Sequence, residues 1–202
     1  MSENKTNPLN TKWCVWYHNP MDKNWSLNSY IKLYEFDSIE SFWDLYKNWD
    51  DYLPKIYEGM FFIMRKLEDN LIYPLWEDKH NRNGGFWSFK INKEAAISIW
   101  EDLSVFLISE SLCVNTKDSM MINGISISPK KSFCIIKIWN NNKLKCDLGI
   151  LSKFNKTLNY NECMYKCHID NISNDKIKTN KYKNIQKKNT SVLFKKRKEY
   201  SR

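Results

Sequence analysis

Glycine is scarce in this sequence, five residues in 202, and no glycine-rich loop of the kind that cradles phosphates can be assembled from them. A Gly-x-Ser-x-Gly elbow and a His-Glu-x-x-His zinc helix are both missing. Only three histidines occur, His18, His80 and His168, and none sits near a plausible nucleophile. These absences argue against covalent and acid–base catalysis, so the chain is not expected to be an enzyme. No apolar run is long enough to cross a bilayer, and the N-terminus lacks a charged-then-apolar leader. A cytoplasmic protein with no membrane partner is the expectation. Six cysteines lie at positions 14, 113, 134, 146, 163 and 167 without paired metal spacing. Cys163, Cys167 and His168 lack a second pair of ligands, which favours reduced, partly buried thiols over a zinc site. Neither a metal nor a cofactor is expected.

What the sequence does have is tryptophan. There are nine, within a content of 15% aromatic and 42% hydrophobic residues. Large aromatics fill cores, but this excess also asks for a binding role. Charge is the second feature. The net charge of +9 is matched by the tail alone, where eleven Lys or Arg in residues 171–202 face only Asp175 and Glu199. Residues 1–170 hold 21 basic and 21 acidic groups and are neutral. The body is therefore no generic polyanion binder, whereas the tail attracts phosphates or is simply a solvated end.

Along the chain, residues 1–10 read as a loose polar arm, residues 11–170 as one domain, and residues 171–202 as a basic loop or tail, with room for a last strand. Trp13-Cys14-Val15-Trp16-Tyr17 is β-favouring and predicts a strand over 12–18. Asn19 to Asn24 is turn chemistry, with Trp25 just beyond it. Residues 30–36 predict a second strand. Asp37 is placed to cap a helix with Glu40 completing its box, and Ile39, Phe42, Trp43, Tyr46 and Trp49 recur at helical spacing. Residues 60–65 and 86–91 read as strands, the latter with Trp87 and Phe89 on one face. Between them, Pro74 directs a loop carrying Trp76. A helix is predicted over 93–113, capped by Asn92, with Ile97, Trp100, Val105 and Ile108 among its apolar positions. Asn123-Gly124 signals a hairpin. Residues 133–139 predict a strand that puts Ile135, Lys137 and Trp139 on one face. A short helix over 151–158 and a last central strand over 164–169 complete the reading. Strand connections are hairpin-like, so the class is α+β with an antiparallel sheet.

Seven stretches carry a further resemblance. They are Asn7-Pro8-Leu9-x3-Trp13, Trp16-x8-Trp25, and the run Phe36-Asp37-Ser38-Ile39-Glu40-Ser41-Phe42-Trp43. They continue with Pro74-Leu75-Trp76-Glu77-Asp78, Gly84-Gly85-Phe86-Trp87, Trp100 leading to Ile108-Ser109-Glu110-Ser111, and Ile136-Lys137-Ile138-Trp139. From residue 7 to about 170, in the family's order and near its spacing, they resemble the eukaryotic translation initiation factor 4E family. The resemblance implies a strongly curved antiparallel sheet, with helices on its convex back and a slot for the messenger-RNA cap on its concave side.

By that resemblance, Trp25 and Trp76 clamp the 7-methylguanine base, Glu77 accepts its two adjacent N–H groups, and Trp139 touches the methyl group. The chemistry suits the ligand. A methylated guanine is cationic, so two indole faces gain cation–π attraction on top of area burial, and one carboxylate can accept a fork of two donors. For the triphosphate the pattern expects cations, and Lys130, Lys131 and Lys137 are the candidates. The family's Gly-Gly-Arg-Trp is Gly84-Gly85-Phe86-Trp87 here, which removes one cation. On the opposite side the resemblance implies a docking face for the scaffold factor 4G, or for a repressor sharing its Tyr-x4-Leu-hydrophobic helix. Pro8, Ile39, Trp43, Asp102 and Val105 match that face, although Ser109 stands where the family has a glycine. The partners implied are thus capped mRNA (7-methylguanosine triphosphate) and a scaffold or repressor. The expected function is cap binding with recruitment of the initiation machinery. A regulatory homologue that sequesters capped mRNA without recruitment is the alternative. A general single-stranded RNA module, which the neutral body disfavours, comes third.

Overall fold

The strand run around Trp13 buries side chains on both of its faces, and the whole sheet is organised about it. In the computed structural model, which describes residues 6–68 and 70–174, β1 (Pro8–His18) is followed by β2 (Tyr30–Ser38), α1 (Ile39–Lys47) and α2 (Trp49–Tyr52). Then come β3 (Met60–Leu67), β4 (Asn70–Leu71), β5 (Gly85–Asn92), α3 (Ala96–Ile108), β6 (Ile122–Pro129), β7 (Phe133–Asn140) and β8 (Met164–Cys167). The first five residues of the expected N-terminal arm, and the basic tail from 175 on, lie outside the described residues. The strand opens at Pro8 rather than Lys12, with Pro8 opposite Ser38 and an irregularity before Trp13, so residues 8–10 belong to the strand.

All pairings are antiparallel, in the order β2-β1-β3-β6-β7-β5-β8, with β4 on β3. The sheet is curved and its alternating side chains feed two cores. Trp13, Val15, Phe61, Ile63, Trp87, Phe89, Ile91, Ile125, Ile127, Ile136 and Ile138 point to one face and pack with Phe42, Leu45, Trp49, Ile99, Trp100 and Leu103 of the helices. Cys14, Trp16, Phe62, Met64, Phe86 and Trp139 point to the other, where Ile72 and the partly buried Tyr73 and Trp76 cover them. Period-two alternation sets this division. Helices occupy the convex side and loops the concave one, as an α+β fold of this kind requires. Among the described residues no helix is long and apolar enough to cross a membrane.

Several local expectations are corrected. Ser38, not Asp37, caps α1: its hydroxyl accepts from the Ser41 amide while Ser41 reaches back to the Ser38 amide. Asp37 stays in β2 paired with Lys12, and Glu40 instead accepts from Asn7. The helical face extends beyond α1 only by a break at Asn48, which separates Trp49 into α2. α3 starts at Ala96 without a side-chain cap from Asn92, and Ile97, one of its apolar positions, is 49% exposed. Asn123-Gly124 is no turn. It lies inside β6 beside a register shift, because a Cβ at Gly124 would run into the Ile63 carbonyl of β3. The hairpin closes instead at residues 130–132, where the Lys130 amide donates to the Phe133 carbonyl at 2.8 Å. Residues 151–158 contain no helix; short 3-10 turns flank them at Leu148–Ile150 and Tyr160–Glu162. β8 is an edge strand pairing with β5 alone, not a central one.

Candidate functional site

Two loops rise over the concave face, and each is wound by its own polar side chains. In the first, between β1 and β2, Asn19, Asp22 and Asn24 each accept a hydrogen bond from the amide two residues on. This brings Trp25 back over the end of β1, where its indole lies flat on the His18 ring, with centroids 4.3 Å apart and planes 2° from parallel. His18 is fully buried and its Nε2 bonds the Asn24 carbonyl at 2.8 Å. Trp25 is still 52% exposed, so His18 covers one indole face and the other is open.

The second loop, between β4 and β5, carries Trp76. Buried Asn81 holds it, its Nδ2 donating to the carbonyls of Tyr73 at 2.8 Å and Leu75 at 2.9 Å. Asn123, on β6, donates in turn to Asn81 and to the His80 carbonyl. Asp78 accepts from the amides of Tyr73 and His80. The loop then re-enters the sheet at Gly84, where a Cβ would collide with the Asn140 carbonyl. Pinned from both ends, it presents Trp76 half-buried beside an exposed Glu77.

Between the loops lies a cavity of about 260 Å³ lined by Trp25, Trp76, Glu77 and Trp139 together with Lys130 and Lys137. This is near the lower end of ligand-pocket sizes. Trp139 forms part of the floor, its Nε1 donating to the Ser126 hydroxyl at 2.9 Å. Four of the residues expected at the base site, and two of the three lysines, are therefore brought together. Lys131 is not: it sits exposed in the turn and does not line the cavity. Tyr30, Met60, Phe62, Ser126 and Ser128 also line it, and none of these stood out in the sequence, where each reads as an ordinary strand residue. His18 reads as a lone histidine in the sequence, and His168 draws notice only beside Cys163 and Cys167. The only signal for them was position, next to a turn and at the end of the last strand.

The electrostatics are asymmetric. No described residue hydrogen-bonds the Glu77 carboxylate, and burial together with its charge raises the pKa of the Tyr30 hydroxyl. On the other flank, the Lys137 ammonium stands 4.4 Å from the centre of the Phe86 ring. Burial, and then the neighbouring charges of Lys130 and Lys166, lower its pKa to about 8. His168 packs behind, 4.8 Å from Trp139 and 5.5 Å from Phe86. Burial, and then the Lys137 charge, push its pKa down to about 3, so it is neutral. The cavity thus offers an anionic end, two indoles and a cationic end.

On the convex side, Pro8 and Ile39 lie together, since Pro8 pairs with Ser38 in the sheet. Trp43, one turn on, is 44% exposed and contacts Phe42 and Tyr46 edge-on. Tyr46 donates to Ser104 at 2.7 Å and so ties α1 to α3, which carries Asp102 and Val105. The Asp102 carboxylate accepts from Asn155 at 2.7 Å. The Ser109 hydroxyl turns inward to the Val105 carbonyl at 2.8 Å.

The family described as eukaryotic initiation factor 4E matches residues 8–184. The Saccharomyces cerevisiae eukaryotic translation initiation factor 4E is 30% identical over 156 residues, 75% of this chain and 70% of that protein. The Arabidopsis thaliana eukaryotic translation initiation factor NCBP is 34% identical over 140 residues, 67% of this chain and 59% of that one. Among solved structures, the complex of C. elegans eIF4E-3 with the 4E-binding protein Mextli and cap analog superposes with a TM-score of 0.68. It covers 84% of this chain and 96% of that one at 20% identity, a likeness of fold. Ascaris suum eIF4E-3 with m7G cap gives 0.59 at 22% identity, covering 71% and 78%. Sequence and fold together place this chain in the eukaryotic initiation factor 4E family.

Proposed function

We propose that this protein binds the 7-methylguanosine cap of mRNA in the cytoplasm and recruits the translation initiation machinery through a scaffold subunit. The observation that carries this is the pairing of a half-open Trp25 with Trp76 across one cavity, beside a carboxylate that has no partner among the described residues. The base slides between the indoles as a cation between two electron-rich faces, each contact worth about 1–2 kcal/mol when desolvated. Glu77 accepts the guanine N1 hydrogen and the exocyclic amine, and its charge complements the cation. Trp139 meets the methyl group, while Lys130 and Lys137 take the triphosphate. The naming of the yeast and Arabidopsis relatives as translation initiation factors supports the same reading. The exposed Ile39 and Trp43 on the helical side favour recruitment over simple sequestration.

The test is a titration with 7-methylguanosine triphosphate beside GTP, followed by tryptophan fluorescence. Quenching with at least about tenfold preference for the methylated ligand, some 1.4 kcal/mol, is expected, and Trp76→Leu should abolish that preference. Equal, weak binding of both ligands would sink the assignment.

A further inference from the structure

Basic residues in the two halves of the sheet behave differently. In the β1–β3 half each is neutralised: Lys12 pairs with Asp37, Lys32 and Lys66 with Glu35, and Arg65 with Glu110. The β5–β8 half holds no acid at all: residues 85–92, 122–140 and 164–167 contain neither Asp nor Glu. They do contain Lys90, Lys130, Lys131, Lys137 and Lys166, and none of these five is in an ion pair among the described residues. In a body whose charges balance, this is segregation, and it lies next to the cavity.

We propose that the strip running from Lys137 over Ile135 to Lys90 and Phe133 carries the RNA chain downstream of the cap, an inference that rests on the cap-binding reading. Continuity with the cavity sets the route. On β7 the residues sharing the concave face are Trp139, Lys137, Ile135 and Phe133 in turn, and they run from the cavity floor towards the β6–β7 turn. Ile135 is flanked across the sheet by Ser128 and Lys90. Phe133 is flanked by Asn92 and accepts the backbone hydrogen bond of Lys130, itself a cavity residue. The Lys90 ammonium stands 4.7 Å from the Phe133 ring centre. At about 3.4 Å per residue the strip extends roughly 20 Å past Trp139, beyond the cations left for the triphosphate.

The occupant follows from chemistry. Cations unpaired among the described residues, on strands that carry no carboxylate, suit a chain of phosphodiesters, and the partly exposed Phe133 ring beside them is a stacking surface for an unpaired base. Such contacts read no sequence, which suits a ligand whose only constant part is its cap. Lys166, next to Phe86 on β8, lies off this route at the opposite side of Lys137.

The experiment compares 7-methylguanosine triphosphate with an eight-nucleotide capped RNA and its uncapped form, at two salt concentrations. Wild type should bind the capped RNA at least about fivefold tighter than the free cap, a gain that weakens with salt as phosphate contacts do. Lys90→Glu and Phe133→Ala should each remove most of the gain and leave free-cap affinity within about twofold, with the salt slope for Lys90→Glu reduced by about 0.7. A capped RNA no tighter than the free cap would overturn the proposal. So would a gain that survives in Lys90→Glu, or one lost in Lys166→Glu instead. Failure of wild type to bind the free cap would fell the cap reading instead. The strip then stands or falls on whether Lys90→Glu weakens the uncapped RNA.

Discussion

Lys137 shows how one side chain can be tuned by where it stands. Its ammonium rests on the Phe86 ring with Lys130 and Lys166 nearby and, among the described residues, no acid to balance it, so burial and like charge hold its pKa at about 8. In the free protein this lysine opposes folding while charged, since the unfolded chain binds its proton more tightly. Its contribution to stability therefore rises with pH from about 8 towards 10.5. A bound triphosphate acts the other way, favouring the charged form, so binding takes up a proton above pH 8. Affinity for 7-methylguanosine triphosphate should fall as pH rises from 7 to 9.5, by up to about tenfold per unit from this group. Any titration of the ligand itself is common to every variant. Lys137→Arg, which stays charged, should flatten the wild-type difference, whereas Lys137→Gln should be weak throughout. Isothermal titration at several pH values reads this directly, and parallel profiles for wild type and Lys137→Arg would rule it out.

Among elements, the junction of β1, β3, β6 and α3 turns on Arg65, which is almost wholly buried. Its guanidinium donates to Thr11 and Glu110 at 2.8 Å and to the Ile122 and Ser119 carbonyls at 3.1 and 3.3 Å, and lies 4.5 Å from the Trp13 ring centre. Glu110 reaches it from a residue at φ 55, the left-handed region that a non-glycine residue adopts at a cost. Glu110→Ala should strip the buried cation of its only counter-charge among the described residues and destabilise by about 3 kcal/mol. Glu110→Gly should lose somewhat less, by about 0.5–1 kcal/mol, because glycine accepts that backbone. Urea midpoints with unchanged slopes would report both; Gly no better than Ala would deny the strain. Nothing in the sequence around Arg65 announced this pair, which joins positions 45 apart. The same limit explains what was and was not legible. Period-two and helical spacing exposed the sheet, α1 and α3, because burial of one face writes itself into neighbouring residues. Loop tryptophans stood out as Trp25 and Trp76 because turn chemistry flanks them. The Asn123-Gly124 signal misled because its glycine answers to the Ile63 carbonyl on another strand, not to a turn. The cap of α1 shifted one residue because Ser38 and Ser41 can bond each other reciprocally. Lys131 could not be told from Lys130 because only the completed turn decides which one faces the cavity.

At the scale of the whole molecule, one sheet separates two working faces. The cavity belongs to the concave core around Trp139, Phe62 and Phe86, whereas Trp43 belongs to the helices over the convex core. Beside Trp43 a groove of about 450 Å³ is lined by Tyr46, Trp49, Ile56, Ile97 and Glu101 among others. With Ile39 and Ile97 also exposed, α1 and α3 present an apolar surface of the kind an amphipathic helix fills. A peptide carrying Tyr-x4-Leu-hydrophobic should dock there with Trp43 as its anchor. Trp43→Ala should cost at least about 2 kcal/mol, some thirtyfold in peptide affinity. Trp43 packs edge-on against Phe42 and Tyr46 rather than inside the core, so the fold should tolerate its loss. The two sites share no described side chain, and effects at well-separated sites add. Trp43→Ala should therefore leave cap affinity within about twofold, and Trp76→Leu should leave peptide affinity equally untouched. Measuring both ligands on both variants closes the square. Because coupling between sites is reciprocal, a change in cap affinity caused by bound peptide must be matched by an equal cap-dependent change in peptide affinity. If both appear, the sheet transmits strain between its faces; if neither does, it is a rigid partition on which each face can be altered alone.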